Sequence, residues 1–234
     1  MALNASTVKS SSQNRVEQPV IEIGNYPARI VQILDLGLQP QRPYQGEDKP
    51  PSHEIMLTYE LVDCFMVDEK GAEIEDKPRW ISETFPLHSI KADNAKSTKR
   101  YKAADPTNQF NGDFAALANT PVTVNIVHGV VNKNTGKPYE NVGNIAPMRA
   151  RDAANCPPLK NPAKVFDLDN PDTTVFGSLP EWLQDKIKGN LNFSNSKLEA
   201  LIKGDPKKEE AAPPPPPAPD DVGGDGEEEG DVPW

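Results

Sequence analysis

The sequence contains few of the residues from which enzymatic and metal sites are built. Its 234 residues include two cysteines and three histidines. Cys64 and Cys156 lack the CxxC or Cys/His spacing of a metal site, and two such thiols are typical of a reduced, cytoplasmic protein. His53, His88 and His128 fall in three separate segments, so we interpret them as structural or surface residues. With no nucleophile–base pair or ligand set visible, the sequence predicts neither an enzyme nor a metal or cofactor site.

Long apolar stretches are also missing. No apolar run approaches the ~18 residues that a membrane-spanning helix needs, which predicts no membrane partner. The first 15 residues lack the apolar core of a signal peptide and are typical of a flexible arm. Hydrophobic residues make up 36% of the chain and proline occurs 25 times, so we expect a modest core with disordered extensions.

The net charge of −10 is unevenly distributed. Residues 205–234 hold 10 acidic and 2 basic side chains, a net charge of −8. Residues 1–204 hold the other 25 acidic and 23 basic side chains, a net charge of −2. Because the body of the protein is nearly neutral, the overall acidity does not exclude a polyanionic ligand.

Alternating apolar residues predict five β-strands. The clearest signal is a hairpin over 120–147, in which Val122, Val124 and Ile126 alternate with polar residues before a turn at 132–137. Three earlier strands are predicted over 21–38, 53–62 and 79–87. Between the third and fourth strands, residues 89–119 break the pattern and predict a helical insert with a short helix near 112–118.

The same alternation predicts which side chains form the core. The first strand is expected to bury Ala28, Ile30, Leu34 and Leu36 on one face, and the second Ile55, Leu57, Tyr59 and Leu61. The third strand is expected to bury Ile81, Phe85 and Leu87, although Glu83 falls on the same face.

The order strand, strand, strand, helical insert, strand, strand predicts a mainly β protein with an OB-fold, a five-stranded Greek-key barrel. We therefore expect a disordered arm (1–18), the OB domain (19–150), a surface-wrapping segment (151–204) and a disordered, proline-rich acidic tail (205–234). The wrapping segment is predicted to hold two short helices. One begins at a capping box, Ser178 to Glu181, and the other covers about 195–203.

Basic and aromatic residues gather in the loop 39–52, on the third strand, in the insert and in the last turn. Lysine and arginine neutralise phosphates while aromatic rings stack on bases, a combination that suits single-stranded nucleic acid. The predicted nucleic-acid-binding residues are Arg42, Tyr44, Lys49, Arg79, Trp80, Lys91, Lys96, Lys99, Arg100, Tyr101, Lys102, Lys133, Lys137 and Tyr139. Alternatively, the basic insert is a solvated helix face and the turn lysines serve solubility. Glu54 and Glu60 on the outer face of the second strand also argue against a uniformly positive groove.

The tail combines negative charge with a final aromatic residue. After a polyproline spacer (213–217), its candidate partner-binding residues are Asp220, Asp221, Asp225, Glu227, Glu228, Glu229, Asp231 and Trp234. Such a segment can imitate phosphates and a base within the protein's own cationic groove, and it can recruit basic partners when exposed. The alternative is a segment that only aids solubility.

The strand order, the near-neutral body and the tail over 220–234 together resemble phage-type single-stranded DNA-binding proteins of the T7-type group. The resemblance is architectural and covers 21–147 and the tail. The spacer and the terminal Trp, where that group usually has Phe, depart from its pattern. The resemblance implies sequence-independent binding of single-stranded DNA in phage DNA replication or recombination, in the host cytoplasm, with replication or recombination proteins recruited by the tail. A protein-binding adaptor with an OB-like barrel and a virion structural β-barrel protein are the alternatives.

Overall fold

A computed structural model of the protein describes residues 16–43 and 46–204. Tyr44, the acidic tail and most of the predicted N-terminal arm lie outside these ranges.

The fold is mainly β, as predicted, and its centre is one six-stranded sheet. The strands are β1 (Gly24–Gln39), β2 (Ser52–Val67), β3 (Glu73–Pro86), β4 (Pro121–Val131), β5 (Pro138–Pro147) and β6 (Lys164–Phe166). Hydrogen bonds join them in the order β3-β2-β1-β4-β5, with every neighbouring pair antiparallel. The five predicted strands are confirmed. β6 runs parallel to residues 32–34 of β1. It was not predicted, because a strand of three residues is too short to show an alternation of apolar and polar side chains.

Helices fill the insert and the end of the described chain. The predicted insert contains α1 (Lys96–Ala104) and a 3₁₀ helix (Ala115–Leu117). Four short helices follow the fifth strand: α2 (Ala150–Asn155), α3 (Thr173–Gly177), α4 (Glu181–Lys188) and α5 (Lys197–Ile202). Two had been predicted, and they correspond to α4 and α5. None of the helices in the described ranges has the length and apolarity needed to cross a membrane.

The predicted capping box is wrong. Ser178 instead ends α3, where its hydroxyl donates a hydrogen bond to the Val175 carbonyl oxygen, while Pro180 occupies the N-cap of α4. The side chains that do cap helices here are Asp172 at α3 and Ser196 at α5, each accepting hydrogen bonds from backbone amides of the first turn.

A bulge in β1 changes which side chains share a face. The pairing of β1 with β2 shifts register between Ile30 and Gln32, so residues beyond the shift exchange faces. Ala28 and Ile30 lie in one hydrophobic core, whereas Leu34 and Leu36 lie in a second core on the opposite face. The prediction that these four side chains share one face is therefore wrong, because strict alternation cannot account for an extra residue.

The first core lies between the sheet and the helical insert. The inward residues predicted for β2 are confirmed, since Ile55, Leu57, Tyr59 and Leu61 are all buried in this core. Residues from β3, β4, β5 and the insert complete it, namely Ile81, Phe85, Val122, Val124, Ile126, Val142, Ile145, Tyr101 and Leu117. Leu87, which was also predicted to be buried, lies beyond the end of β3 and is exposed.

The second core forms on the other face of β1 and β2. Residues 156–204, which we call the C-terminal segment, pack onto this face through β6, α3, α4 and α5. Their buried side chains are Phe166, Phe176, Leu179, Leu183, Ile187 and Leu198, in contact with Leu34, Leu36 and Met56 of the sheet. Each fully buried side chain of this size contributes about 1.5–3 kcal/mol. The C-terminal segment is therefore an integral part of the fold.

Candidate nucleic-acid interface

Trp80 lies in a surface cleft of about 430 Å³ on the outer side of β3. Its indole is 38% exposed, and the next outward-facing side chains of the strand, Ser82 and Thr84, are exposed as well. The cleft, which we call the Trp80 cleft, is lined by Met66, Asp76, Lys77, Pro78, Arg79, Trp80 and Asn161. An open aromatic ring beside cationic side chains is the combination from which single-stranded nucleic-acid sites are built.

A buried carboxylate fixes the orientation of the Trp80 indole. The indole Nε1 donates a hydrogen bond of 3.0 Å to Oε2 of Glu60, which is only 1% exposed. Glu60 also accepts hydrogen bonds from the Lys160 backbone amide (2.6 Å) and the Asn161 side chain (2.7 Å). Both carboxylate oxygens are thus satisfied, as a buried polar group requires. Glu60 therefore holds Trp80 in place and, contrary to the expectation from sequence, does not line an open groove.

The charges around the Trp80 cleft are mixed. Arg79 is largely buried, donates a hydrogen bond of 2.8 Å to the Pro19 carbonyl oxygen and pairs with Glu140 of β5 at 3.3 Å. Lys160 lies 3.5 Å from Asp76 on the surface, and Lys77 is exposed. Lys77 and Lys160 are therefore better placed than Arg79 to contact a phosphate. Neither lysine was predicted, because neither belongs to a basic cluster along the chain.

A second cleft of about 450 Å³ contains the described part of the predicted basic loop. This cleft, the Lys186 cleft, is lined by Gln39, Pro40, Gln41, Arg42, Pro43, Lys49, Glu54 and Lys186. Three cations against one carboxylate give its lining a net charge of +2. Arg42 and Lys49 were predicted, whereas Lys186 was missed because α4 is far from this loop in the sequence.

Hydrogen bonds fix the position of Lys186. Its ammonium group lies 2.9 Å from Glu54 Oε2, and the Gln41 side chain donates to the other oxygen of Glu54 at 2.9 Å. Partial burial opposes ionisation of Glu54, but these two hydrogen bonds and the Lys186 charge outweigh it and lower its pKa. The Gln39 side chain in turn donates to the Lys186 carbonyl oxygen at 3.0 Å, which links α4 to β1.

Arg100 and Tyr101 of α1 are buried, which corrects their prediction as DNA contacts. Arg100 is 4% exposed and donates two hydrogen bonds to the carboxylate of Glu83, at 2.7 and 3.1 Å. It also donates to Asn144 of β5 at 2.8 Å. Tyr101 is fully buried and donates to Asp105 at 2.9 Å. The position of Glu83 on the otherwise apolar face of β3 is explained by its buried partner, Arg100.

The other predicted residues lie in separate places. On or near α1, Lys91 and Lys99 are exposed, Lys96 pairs with Glu83 at 2.8 Å and Lys102 pairs with Asp93. In the turn between β4 and β5, Lys133 is exposed and Lys137 pairs with Glu17 at 2.8 Å, and Tyr139 is exposed at the start of β5. Neither of the two clefts described above includes a residue of α1 or of this turn. The structure thus brings together Arg79 with Trp80, and Arg42 with Lys49, but not the full predicted set.

No protein-family model, curated protein or solved structure matches this chain. Across residues 16–43 and 46–204, no three His, Cys, Asp or Glu side chains are grouped so that they could hold a metal ion. The geometry of the two clefts is therefore the main basis for a functional assignment.

Proposed function

We propose that this protein is an OB-fold protein that binds single-stranded DNA without sequence preference. The observation that carries the proposal is the exposed indole of Trp80, held by Glu60 in a cleft that Lys77 lines, with the Lys160 ammonium 3.5 Å from Asp76 of the same cleft. A base stacked on such a ring contributes ~1–3 kcal/mol whatever its identity. The lysines can contact the flanking phosphates, which makes the affinity dependent on salt.

The order of the strands supports the OB-fold part of the proposal. The path β3-β2-β1-β4-β5, with a helical insert between β3 and β4, has the element order of a partly open, five-stranded Greek-key barrel. Side chains join the two ends of this path, since Arg79 of β3 pairs with Glu140 of β5 and Arg100 bridges Glu83 to Asn144. In this proposal β6 and the C-terminal segment are additions to the barrel.

The acidic tail gives the proposal its biological setting. We assign to residues 220–234 competition with DNA for the cationic surface and recruitment of replication or recombination proteins, as in the phage-type group that the sequence resembles. The segment holds seven acidic and no basic side chains, a composition that suits both roles. It lies outside the described residues, so this part of the proposal depends on the sequence alone.

A fluorescence titration tests the proposal. The chain has three tryptophans, at positions 80, 182 and 234. Titration with (dT)15 at low salt is expected to quench the emission of the unaltered protein and of a W182F variant, and to leave the emission of W80F much less affected. Raising the salt should reverse the quenching. If (dT)15 failed to quench the unaltered protein at low salt, the single-stranded DNA proposal would be wrong.

A protein-binding adaptor is the second candidate, and exposed apolar side chains on the last two helices favour it. Trp182 of α4 is 60% exposed, and Leu201 and Ile202 of α5 are each almost half exposed. Large apolar side chains at the surface are typical of protein contacts. An adaptor of this kind would leave the fluorescence unchanged on addition of (dT)15, so the titration separates the two functions.

A further inference from the structure

The C-terminal segment covers the outer face of β2 but leaves that of β3 open. On β2, Glu60 binds Lys160 and Asn161, Met56 belongs to the second core, and Glu54 pairs with Lys186. On β3, by contrast, the outward-facing side chains of Trp80, Ser82 and Thr84 are exposed. The result is an open strip along β3 that has the C-terminal segment as one side.

The two clefts lie at opposite ends of this strip. The register between β2 and β3 pairs Glu60 with Trp80 and Glu54 with Pro86. Glu60 holds the indole of the Trp80 cleft, and Glu54 lines the Lys186 cleft. Six residue-to-residue steps separate Trp80 from Pro86, which corresponds to about 20 Å of strand at about 3.3 Å per residue.

The side chains along the strip suit a polyanion. Between Trp80 and Pro86 the outward-facing positions are Ser82 and Thr84, which are small and uncharged, while Glu83 points into the first core. The strip therefore begins at an aromatic ring, continues without a carboxylate and ends at a cleft with a net charge of +2.

From this arrangement we infer that a single strand stacked on Trp80 continues along β3 into the Lys186 cleft, where Lys186 of the C-terminal segment contacts its phosphates. This inference rests on the proposed function and extends it. The C-terminal segment thereby becomes part of the nucleic-acid site, although the sequence placed that site entirely within the barrel. A strand stacked at about 3.4 Å per nucleotide covers about 20 Å with about six nucleotides, so a dinucleotide cannot reach both clefts.

Two substitutions that break the same ion pair provide the test. K186A removes the cation and leaves Glu54 in the cleft, so binding of (dT)15 should weaken several-fold at low salt. The slope of log affinity against log salt should also fall by about 0.7 for the lost phosphate contact. E54Q removes the anion and keeps Lys186, so binding should tighten. If the ion pair only stabilised the fold, both substitutions would change the affinity for (dT)15 in the same direction.

K203A is the matched control, because Lys203 pairs with Glu199 on α5 and lines neither cleft. It should bind (dT)15 like the unaltered protein. K186A should bind a thymidine dinucleotide as tightly as the unaltered protein does, because that ligand occupies the Trp80 cleft alone. Opposite effects of K186A and E54Q support the inference. Normal quenching of the unaltered protein combined with unchanged or parallel affinities of the two variants would overturn it, whereas no quenching of the unaltered protein would overturn the proposed function itself.

Discussion

Neighbouring residues of α1 illustrate how strongly environment decides the role of a charge. Lys99 is exposed, whereas the next residue, Arg100, is buried against Glu83 and reaches β5 through Asn144. A buried pair of this kind contributes little net stability, but removing Arg100 would leave the buried Glu83 carboxylate with the partly exposed Lys96 ammonium and the Tyr59 hydroxyl as its partners. We therefore assign Arg100 a structural role in joining β3 to β5.

Substitution of Arg100 should accordingly affect stability. R100A is expected to lower the free energy of unfolding by about 1.5–3 kcal/mol, because the buried Glu83 carboxylate loses its two hydrogen bonds from Arg100 but keeps Lys96 and Tyr59. K99A is the control and should change it by less than about 0.5 kcal/mol, as at most surface positions. Urea denaturation measures both values, and equal stabilities of the two variants would contradict the structural role.

Ionisation of His53 makes the stability of the protein depend on pH. Its Nε2 lies 2.6 Å from Asp35 Oδ1, and this hydrogen bond raises the pKa of His53 although partial burial opposes the shift. Asp169 and Asp167 raise it further. Because the folded-state pKa exceeds the unfolded value of about 6.5, the stabilisation is complete below about pH 6.5 and is lost as the pH rises through the folded-state pKa.

We therefore expect H53Q to reduce the urea midpoint more at pH 5.5 than at pH 9. His88 is exposed, and H88Q serves as the control that should show no such difference. An equal loss for H53Q at both pH values would show that the bond to Asp35 does not depend on the charge of His53.

At the scale of the elements, the C-terminal segment carries the second core. Leu183 of α4 is buried among these side chains, whereas Leu201 of α5 is half exposed. L183A should lower the free energy of unfolding by about 2–5 kcal/mol, because it removes buried methyl groups and leaves a cavity. L201A should cost much less. Thermal or urea unfolding of the two variants measures the difference, and similar losses would mean that the segment does not pack as described.

The elements also show what the sequence can predict. The strands of the hairpin are evident because one face is buried, which produces an alternation of apolar and polar residues. β2 is evident because its outer face, although covered by the C-terminal segment, carries polar residues such as Thr58 and Glu60. The second core could not be predicted, since the bulge in β1 breaks the alternation and β6 is too short to show one.

The candidate site was predicted only in part, for a related reason. Trp80, Arg42 and Lys49 stand out in the chain because they are aromatic or basic residues on a predicted strand or loop. Tertiary packing of the C-terminal segment, more than 70 residues after β3 in the sequence, brings Lys186 into its cleft and Lys160 next to Asp76 of the Trp80 cleft. Arg100 stood out as basic, but its burial depends on Glu83 of another element. The spacing of residues along the sequence gives no information about contacts between elements that are far apart in the chain.

The charge of the protein is divided between a near-neutral body and an acidic tail. Deletion of 220–234 removes seven acidic side chains and no basic one. If the tail competes with DNA, the shortened protein should bind (dT)15 more tightly, most clearly at low salt where electrostatic attraction is least screened. Fluorescence titrations of the full and shortened proteins provide the comparison. Equal or weaker binding after deletion would contradict the competition.

Stacking of a base on Trp80 can be observed in indole ¹H–¹⁵N correlation spectra recorded with and without (dT)15. Each of the three tryptophans gives one indole signal, and W80F and W182F assign them. Stacking should shift the Trp80 signal strongly at saturating (dT)15, and much more than the signal of Trp182, which lies one helical turn from Lys186 on α4. A Trp80 signal that does not move when DNA is added would contradict it.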